Sequence, residues 1–531
     1  MGWETVDAVV VGAGHNGLVA ANMLADAGWD VVVGEATDHL GGAVRSTELA
    51  APGFESDVCS AFHPLGFAAP PLRDLRLTEY GLRWTHAPHV LTHLLPDGRA
   101  VTLDRDVDVT AASLDGFAPG DGARWRRAYA QWCDLSDDLI GALMRPFPPV
   151  RPGLALYRRL RTAGLLRLAR RLLLPARGLG EELFAGEGGR ALLAGLALHT
   201  DLSPADGGSA AYGWLLAMLG QQYGFPVPAG GASRLTEALV TRLRARGGEI
   251  RTGEPVDRVV VGAGRALGVR TAGGRFWRAR RAVLADVPAP SLFLDLVGAD
   301  RLPARLVADL HDFHWDHATI KVDWALSGRL PWTAGDVRGA GTVHLRADVA
   351  GLVEYAADLT AGRVPERPFL LLGQMTTTDA TRSPAGTESM WAYTHLPRRE
   401  KWPAAEVERH VERIEAVISS AAPGFRDLVV GRHVAGPGWL QAENPSLVGG
   451  AINGGTSAPY QQLFLRPVPG LGRADTPVDR LYLASSSAHP GGGVHGAPGA
   501  NAARAALVRD RVVAGDLYAA AIRTAQRAVY R

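Results

Sequence analysis

Val6–Val11 is an unbroken apolar run, which the spacing predicts as a β-strand, and it gives way at once to Gly12-Ala13-Gly14-His15-Asn16-Gly17. From there the period becomes helical, with Leu18, Ala21, Asn22 and Ala25 on one stripe and a stop at Gly28. A second apolar run, Val31–Val33, completes a strand, turn, helix and strand unit and leads to Glu35. The alternation returns twice. Pro228-Ala229-Gly230-Gly231-Ala232-Ser233 precedes an amphipathic helix through Leu235, Ala238, Leu239 and Leu243, with Ser233 expected as its N-cap, and then Gly247-Gly248 and strands over Glu249–Thr252 and Val256–Val261. Near the end, the strand-like Arg480–Ala484 runs into Ser485-Ser486-Ser487-Ala488-His489-Pro490-Gly491-Gly492-Gly493-Val494-His495-Gly496 and a helix from about Gly499 to Val508.

Between these units the pattern differs. Ala318–Leu326, Gly341–Leu345, Phe369–Met375 and Met390–His395 alternate with period two, which predicts an antiparallel sheet. Residues 150–180 interleave Arg158, Arg159, Arg161, Arg167, Arg170 and Arg171 with leucines. Such a basic amphipathic helix suits either a solvated arginine face or a peripheral membrane contact.

The first glycine motif carries chemistry. Gly12 permits a tight turn, Gly14 lets backbone approach a pyrophosphate, Gly17 allows close helix–strand packing, and the helix start offers free N–H groups. Glu35 stands at the distance where an acid meets the ribose hydroxyls of FAD or NAD.

At 531 residues the chain exceeds what one core supports, so two domains are expected. Lys+Arg 56 against Asp+Glu 54 is too balanced for a protein that neutralises many phosphates, which sets nucleic acid aside as a partner. Only Lys321 and Lys401 are lysines, a bias of GC-rich bacterial genomes. Cys59 and Cys133 form no Cys-x-x-Cys pair, so redox chemistry needs a cofactor. Without a signal peptide or a long apolar run, the expected location is cytoplasmic.

The continuation Gly41-Gly42-Ala43-Val44-Arg45-Ser46 resembles the FAD-binding segment of the amine oxidase and phytoene desaturase superfamily. The 485–496 loop resembles the C-terminal flavin motif of its phytoene-dehydrogenase-related branch. The resemblance implies FAD as cofactor, held by Gly12, Gly14, His15, Asn16, Gly17, Glu35, Gly41, Gly42 and Arg45, by the backbone of Val256 at the adenine, and by Gly492, Gly493 and Val494 at the isoalloxazine. It implies an α/β fold: a discontinuous Rossmann-like FAD-binding domain from 1–70, 225–300 and 470–531, plus a mixed α+β substrate domain from 71–224 and 301–469. With no cysteine after Cys133, the cysteinyl attachment near the C-terminal motif of some amine oxidases is not expected.

The function that follows is an FAD-dependent oxidoreductase taking a hydride from a small-molecule C–H to flavin N5, giving C–C desaturation or C–N/C–O oxidation of a lipophilic or secondary-metabolite substrate. Its acceptor is oxygen, a quinone or a nicotinamide. His63, His489 and His495 are the candidate catalytic acid–base residues, and Lys321 is a candidate for the lysine that amine oxidases carry near the flavin. Two alternatives stay open: a redox-neutral flavin isomerase, and a non-catalytic carrier resembling Rab GDP-dissociation inhibitor.

Overall fold

The apolar run that opens the chain forms β1 (Trp3–Val11) inside a seven-stranded sheet of the computed structural model, which describes residues 3–345 and 347–530. The turn leads into α1 (His15–Asp26) and then β2 (Val31–Gly34), which pairs parallel to β1. On the other side of β1, Phe276–Ala285 also pairs parallel and is itself joined by Leu481–Leu483. Glu249–Arg251 closes one edge, and Val256–Gly262 with Arg265–Thr271 extends the other as an antiparallel pair.

Parallel strands covered on both faces must be apolar on both, and the valines are sorted accordingly. Ala8, Val10, Val31 and Val33 face a core shared with α1 and the helices Ser233–Ala245 and Ala497–Arg509. Val9, Val11 and Val32 face the opposite core, with Val283 and Phe293. Close approach of α1 to Ala497–Arg509 depends on Gly499, where a Cβ would collide with the Asn16 carbonyl. Buried Arg242 fastens the third helix of this layer through bonds to Asn22, to both Asp26 oxygens and to the Leu75 carbonyl.

Two local expectations change. The helix Ser233–Ala245 begins at Ser233 with Ala232 as its N-cap, and no side chain caps it. The Ser233 hydroxyl instead accepts from Ser46 N–H at 2.7 Å while Ser233 N–H donates to Ser46 Oγ at 3.1 Å, so the serine ties the helix to the neighbouring loop. The arginine-rich stretch is two helices, Val150–Leu173 and Ala176–Leu183, and the first is broken at Arg161, whose φ is +53°.

The second seven-stranded sheet has the order Val429–Ala435, Ala318–Leu326, Glu388–Leu396, Leu370–Gln374, Ala340–Leu345, His89–Leu94 and Ala100–Leu103. The four alternating segments do form strands, but the sheet is mixed, because Ala340–Leu345 pairs parallel to His89–Leu94. That pairing joins strands about 250 residues apart, beyond any local pattern. One face packs a core of Ile320, Val322, Trp324, Met390 and Ala392. The other presents Thr342, Trp391 and Tyr393 to a cavity. A helical layer, chiefly Asp121–Leu143, Val150–Leu173 and Ser209–Tyr223, encloses the far side of that cavity, with His199 and Thr200 after the helix Glu187–Ala197.

Candidate active site

The turn after β1 is built to exclude side chains. Gly12 has φ +93°, and a Cβ there would lie 2.8 Å from the Asp286 carbonyl; a Cβ on Gly14 would lie 2.5 Å from Asp286 Oδ2. Gly17 N–H donates to Asp286 Oδ2 at 2.8 Å. Gly41, φ +103°, donates its N–H to the Ala13 carbonyl, and a Cβ there would strike Thr236. Glu35 leaves the end of β2 with Oε2 accepting from Ala13 N–H at 2.8 Å and Oε1 accepting from Thr37. Asp286 was not among the residues expected from sequence. Burial, then the nearby Glu35 charge, pushes its carboxyl up to about 7.

This cradle opens into a cavity of about 920 Å³. Gly12, Gly14, His15, Asn16, Glu35, Gly42 and Arg45 line one end, with Val256 at the start of its strand. Gly492, Gly493 and Val494 line it from the loop before Ala497–Arg509, where His63, His489 and His495 also reach the wall. Gly17 and Gly41 stand behind the lining. The first and last glycine segments thus share one lining although they are hundreds of residues apart, and the middle unit reaches it through Val256, its glycines Gly230 and Gly231 standing outside the lining.

Several buried polar atoms around this wall have no partner: His15 Nε2, Asn16 Oδ1, Arg45 Nε, His63 Nδ1, Asn453 Nδ2 and His489 Nδ1. Unmet polar groups are costly inside a protein, and a group rich in oxygen and nitrogen would satisfy them. With the Cβ-free cradle and the helix start, the residues fit a flavin dinucleotide.

The three candidate histidines are differently placed. Burial pushes His63 and His489 down to about 4 and His495 to about 3, so all are neutral at pH 7. His63 Nε2 lies 3.0 Å from Ser60 Oγ, and His489 Nε2 donates to the Arg145 carbonyl at 2.9 Å; each keeps a free Nδ1. His495 is committed at both ends, since Nδ1 accepts the Ala497 N–H at 3.1 Å and its other nitrogen faces the Gly491 and Gly492 carbonyls. It therefore caps the last glycine loop's helix.

Arg45 pairs with Glu443, a residue the sequence did not single out. Lys321 is buried in an ion pair with Asp323 and is absent from the described lining. Arg466 is fully buried with only carbonyl partners, at Thr456, Asn453, Gly454 and Ser486, and so binds the 453–456 loop to the 485–487 loop. Cys59 lines the cavity, but burial pushes its thiol up to about 11, which leaves it inert.

Fold and cavity suit a flavin-dependent oxidoreductase, and the family match shows the class. The family described as flavin containing amine oxidoreductase matches residues 17–350, and the chain belongs to it; FAD is its cofactor. The chain is 30% identical over 550 residues to the rat pyridine nucleotide-disulfide oxidoreductase domain-containing protein 2, covering 94% of this chain and 92% of that one. It is 24% identical over 521 residues to a limonene dehydrogenase subunit of Castellaniella defragrans, with 94% of each chain covered. It is 26% identical over 507 residues to the zeta-carotene-forming phytoene desaturase of Myxococcus xanthus, covering 92% and 90%. Among solved structures, cyclohexylamine oxidase from Brevibacterium oxydans shares the fold, with a TM-score of 0.57 at 18% identity over 99% of this chain and all of that one.

Proposed function

We propose that this FAD-dependent oxidoreductase oxidises a lipophilic small molecule at a C–H bond. The observation that carries the reading is the composition of the cavity beyond the glycine cradle. The helical layer contributes Trp132, Leu139, Leu143, Leu172 and Trp214 to the lining, joined by Phe147 from the connection between two of its helices, and among the described residues it contributes no Asp, Glu, Lys or Arg. An ammonium substrate would find no counter-charge on these helices, the carboxylates Glu35, Asp286, Asp295 and Glu443 of the lining standing on other elements, whereas a hydrocarbon chain meets mostly apolar and aromatic surface there.

When bound, FAD supplies the two-electron acceptor for a hydride. Gly12, Gly14 and the start of α1 would hold its diphosphate with Arg45 nearby, Glu35 its ribose and the Val256 backbone its adenine. The Gly492–Val494 loop and the helix it feeds would set free N–H groups against the flavin's pyrimidine edge. Asp286, raised to about 7, would face the anionic diphosphate as a carboxyl that readily keeps its proton. Trp391, Tyr393 and the leucines exclude water from the reacting carbon.

Anaerobic mixing of the FAD-loaded protein with a monoterpene, a C40 polyene in micelles and cyclohexylamine tests this. A hydrocarbon should bleach the flavin band near ~450 nm and the amine should not. Bleaching by the amine alone overturns the reading. Glu35→Gln should weaken FAD binding by about 1.5–3 kcal/mol, the scale of a charged hydrogen bond, in a titration of flavin-free protein. Unchanged affinity would place Glu35 away from the ribose.

The helix Val150–Leu173 fits delivery of such a substrate. Val150, Leu166 and Leu173 are 72%, 67% and 64% exposed among its arginines, and Leu172 and Leu173 reach the cavity lining. No helix among the described residues is long and apolar enough to cross a membrane, so contact would be peripheral. Vesicles containing anionic lipid should co-sediment the protein, and Val150→Glu with Leu166→Glu should lower binding at least tenfold, since each leucine-sized burial contributes about 1.5–3 kcal/mol. Equal sedimentation of the double variant would remove this helix from the contact.

A further inference from the structure

Three histidines outside the candidate set form a continuous chain leading from the cavity into the protein. His199, which follows the helix Glu187–Ala197, lines the cavity wall. Its Nε2 lies 2.9 Å from His344 Nε2; His344 Nδ1 lies 3.2 Å from His93 Nδ1; and His93 Nε2 lies 2.6 Å from the Ala347 carbonyl. His344 and His93 are fully buried and directly opposite one another in the parallel strand pair. His344 offers a different nitrogen to each neighbour, so the three rings do not converge on one metal position. Phe369 packs against both inner rings.

The far end fixes the direction of every bond. A carbonyl only accepts, so His93 carries its proton on Nε2 and exposes a lone pair at Nδ1. His344 must then donate from Nδ1 and accept at Nε2, and His199 must donate from Nε2. The remaining lone pair is His199 Nδ1, on the ring that lines the cavity. The backbone has been fitted to this arrangement: a Cβ at Gly195 would sit 2.6 Å from His344 Nδ1 and 2.7 Å from His93 Nδ1. Glycine inside a helix is unfavourable, and here it leaves room for the contact between the two rings.

The geometry points to a proton relay in which His199 Nδ1 takes up the proton released by the substrate and the His199–His344–His93 chain carries the charge to the neighbourhood of Asp348. The inference rests on the oxidation proposed above, in which the substrate gives a hydride to the bound flavin and a proton to the protein. The proton bonds to His199 Nδ1, the Nε2 proton of His199 moves to His344 Nε2, and the Nδ1 proton of His344 moves to His93 Nδ1. His199 and His344 end neutral with their protons exchanged between nitrogens, and His93 ends as an imidazolium. One proton has entered, and no electron has moved along the chain. Burial holds His93 and His199 down to about 4 and His344 below its ordinary value, and of the three His93 alone has a carboxylate, Asp348, drawing charge toward it. The other titratable group facing His199 is neutral His395, itself beside His317. The relay lets a cavity without a charged base on its helical side move the proton off its wall and hold it as a charge on His93, near Asp348, until the steps reverse.

The test uses FAD-loaded protein with 15N-labelled imidazoles. At pH 7, NMR should show protons on His93 Nε2, His344 Nδ1 and His199 Nε2. Hydrogen exchange at the two inner rings should slow at least tenfold in His199→Phe, which closes the cavity end. Gly195→Ala keeps all three rings but drives a methyl between two of them; it should abolish the coupling of His93 exchange to His199 and so serves where a histidine replacement fails to fold. The opposite tautomer at His344, or inner-ring exchange indifferent to both variants, overturns the relay. Where the tautomers and exchange are as stated, the hydrogen-bonded chain stands, and flavin reduction reads the oxidation separately: His199→Phe should slow it on the order of 100-fold without changing substrate affinity. If no hydrocarbon reduces the flavin, the proposed function falls and only the hydrogen-bonded histidine chain remains; if a hydrocarbon reduces it and His199→Phe leaves that rate unchanged, the relay is overturned while the proposed function stands.

Discussion

Gly14→Val gives a folded protein that purifies without yellow colour and binds added FAD more than 100-fold more weakly than the parent. Backbone strain is not the cause, because Gly14 has φ −66°, which valine adopts freely. The effect comes from where the new side chain goes. Its Cβ would stand 2.5 Å from Asp286 Oδ2, in the space in front of the first N–H groups of α1, and a flexible carboxylate can yield where a diphosphate cannot. Losing two or three charge-assisted hydrogen bonds at about 1.5–3 kcal/mol each exceeds the ~2.7 kcal/mol that a hundredfold change requires. Circular dichroism should match the parent. A yellow variant with parental affinity would show that the diphosphate lies away from this turn.

The cradle was readable because its information is local. A valine strand, a glycine turn and a helical stripe within about 30 residues specify a βαβ unit whatever surrounds them. That Gly14, Val256 and Gly493 line one cavity was expected by resemblance alone, since nothing in their spacing requires it. What stayed hidden is set by distant contacts. The parallel seam between Ala340–Leu345 and His89–Leu94 leaves no mark on either strand's alternation, and with it goes any sign that His93 and His344 touch. Ser233 has the composition of a cap and spends its hydroxyl on Ser46, a partner 187 residues away. Arg161 breaks a helix whose arginine and leucine pattern continues through it. Asp286 did leave a signal: it is the first polar residue after the buried end of the strand Phe276–Ala285, aimed by its register with β1 at the glycine turn.

Acid should destabilise the FAD-free protein by several kcal/mol between pH 6.5 and 5. His15, His63, His93, His199 and His489 are held down to about 4, and His395 and His495 to about 3, in each case foremost by burial. At pH 5 these rings are neutral in the fold and charged once unfolded. The unfolded chain therefore binds more protons, and stability rises with pH from about 4 to the ordinary histidine value of 6.5. Asp286 and Asp316, raised by burial to about 7 and about 6, act in the opposite sense: the fold holds protons that the unfolded chain releases above pH 4, and this contribution weakens as pH rises. The histidines outnumber the acids, so acidification is a net loss. Thermal melts at pH 7.5 and 5.0 should differ by several degrees, the acid sample melting first. Asp286→Asn keeps an acceptor for Gly17 N–H but removes an opposing titration, so its loss between these pH values should be larger than the parent's. His395→Phe should make the loss smaller. Equal melting temperatures at the two pH values, or variants that shift the difference in the reversed directions, would show that these rings take up protons without unfolding.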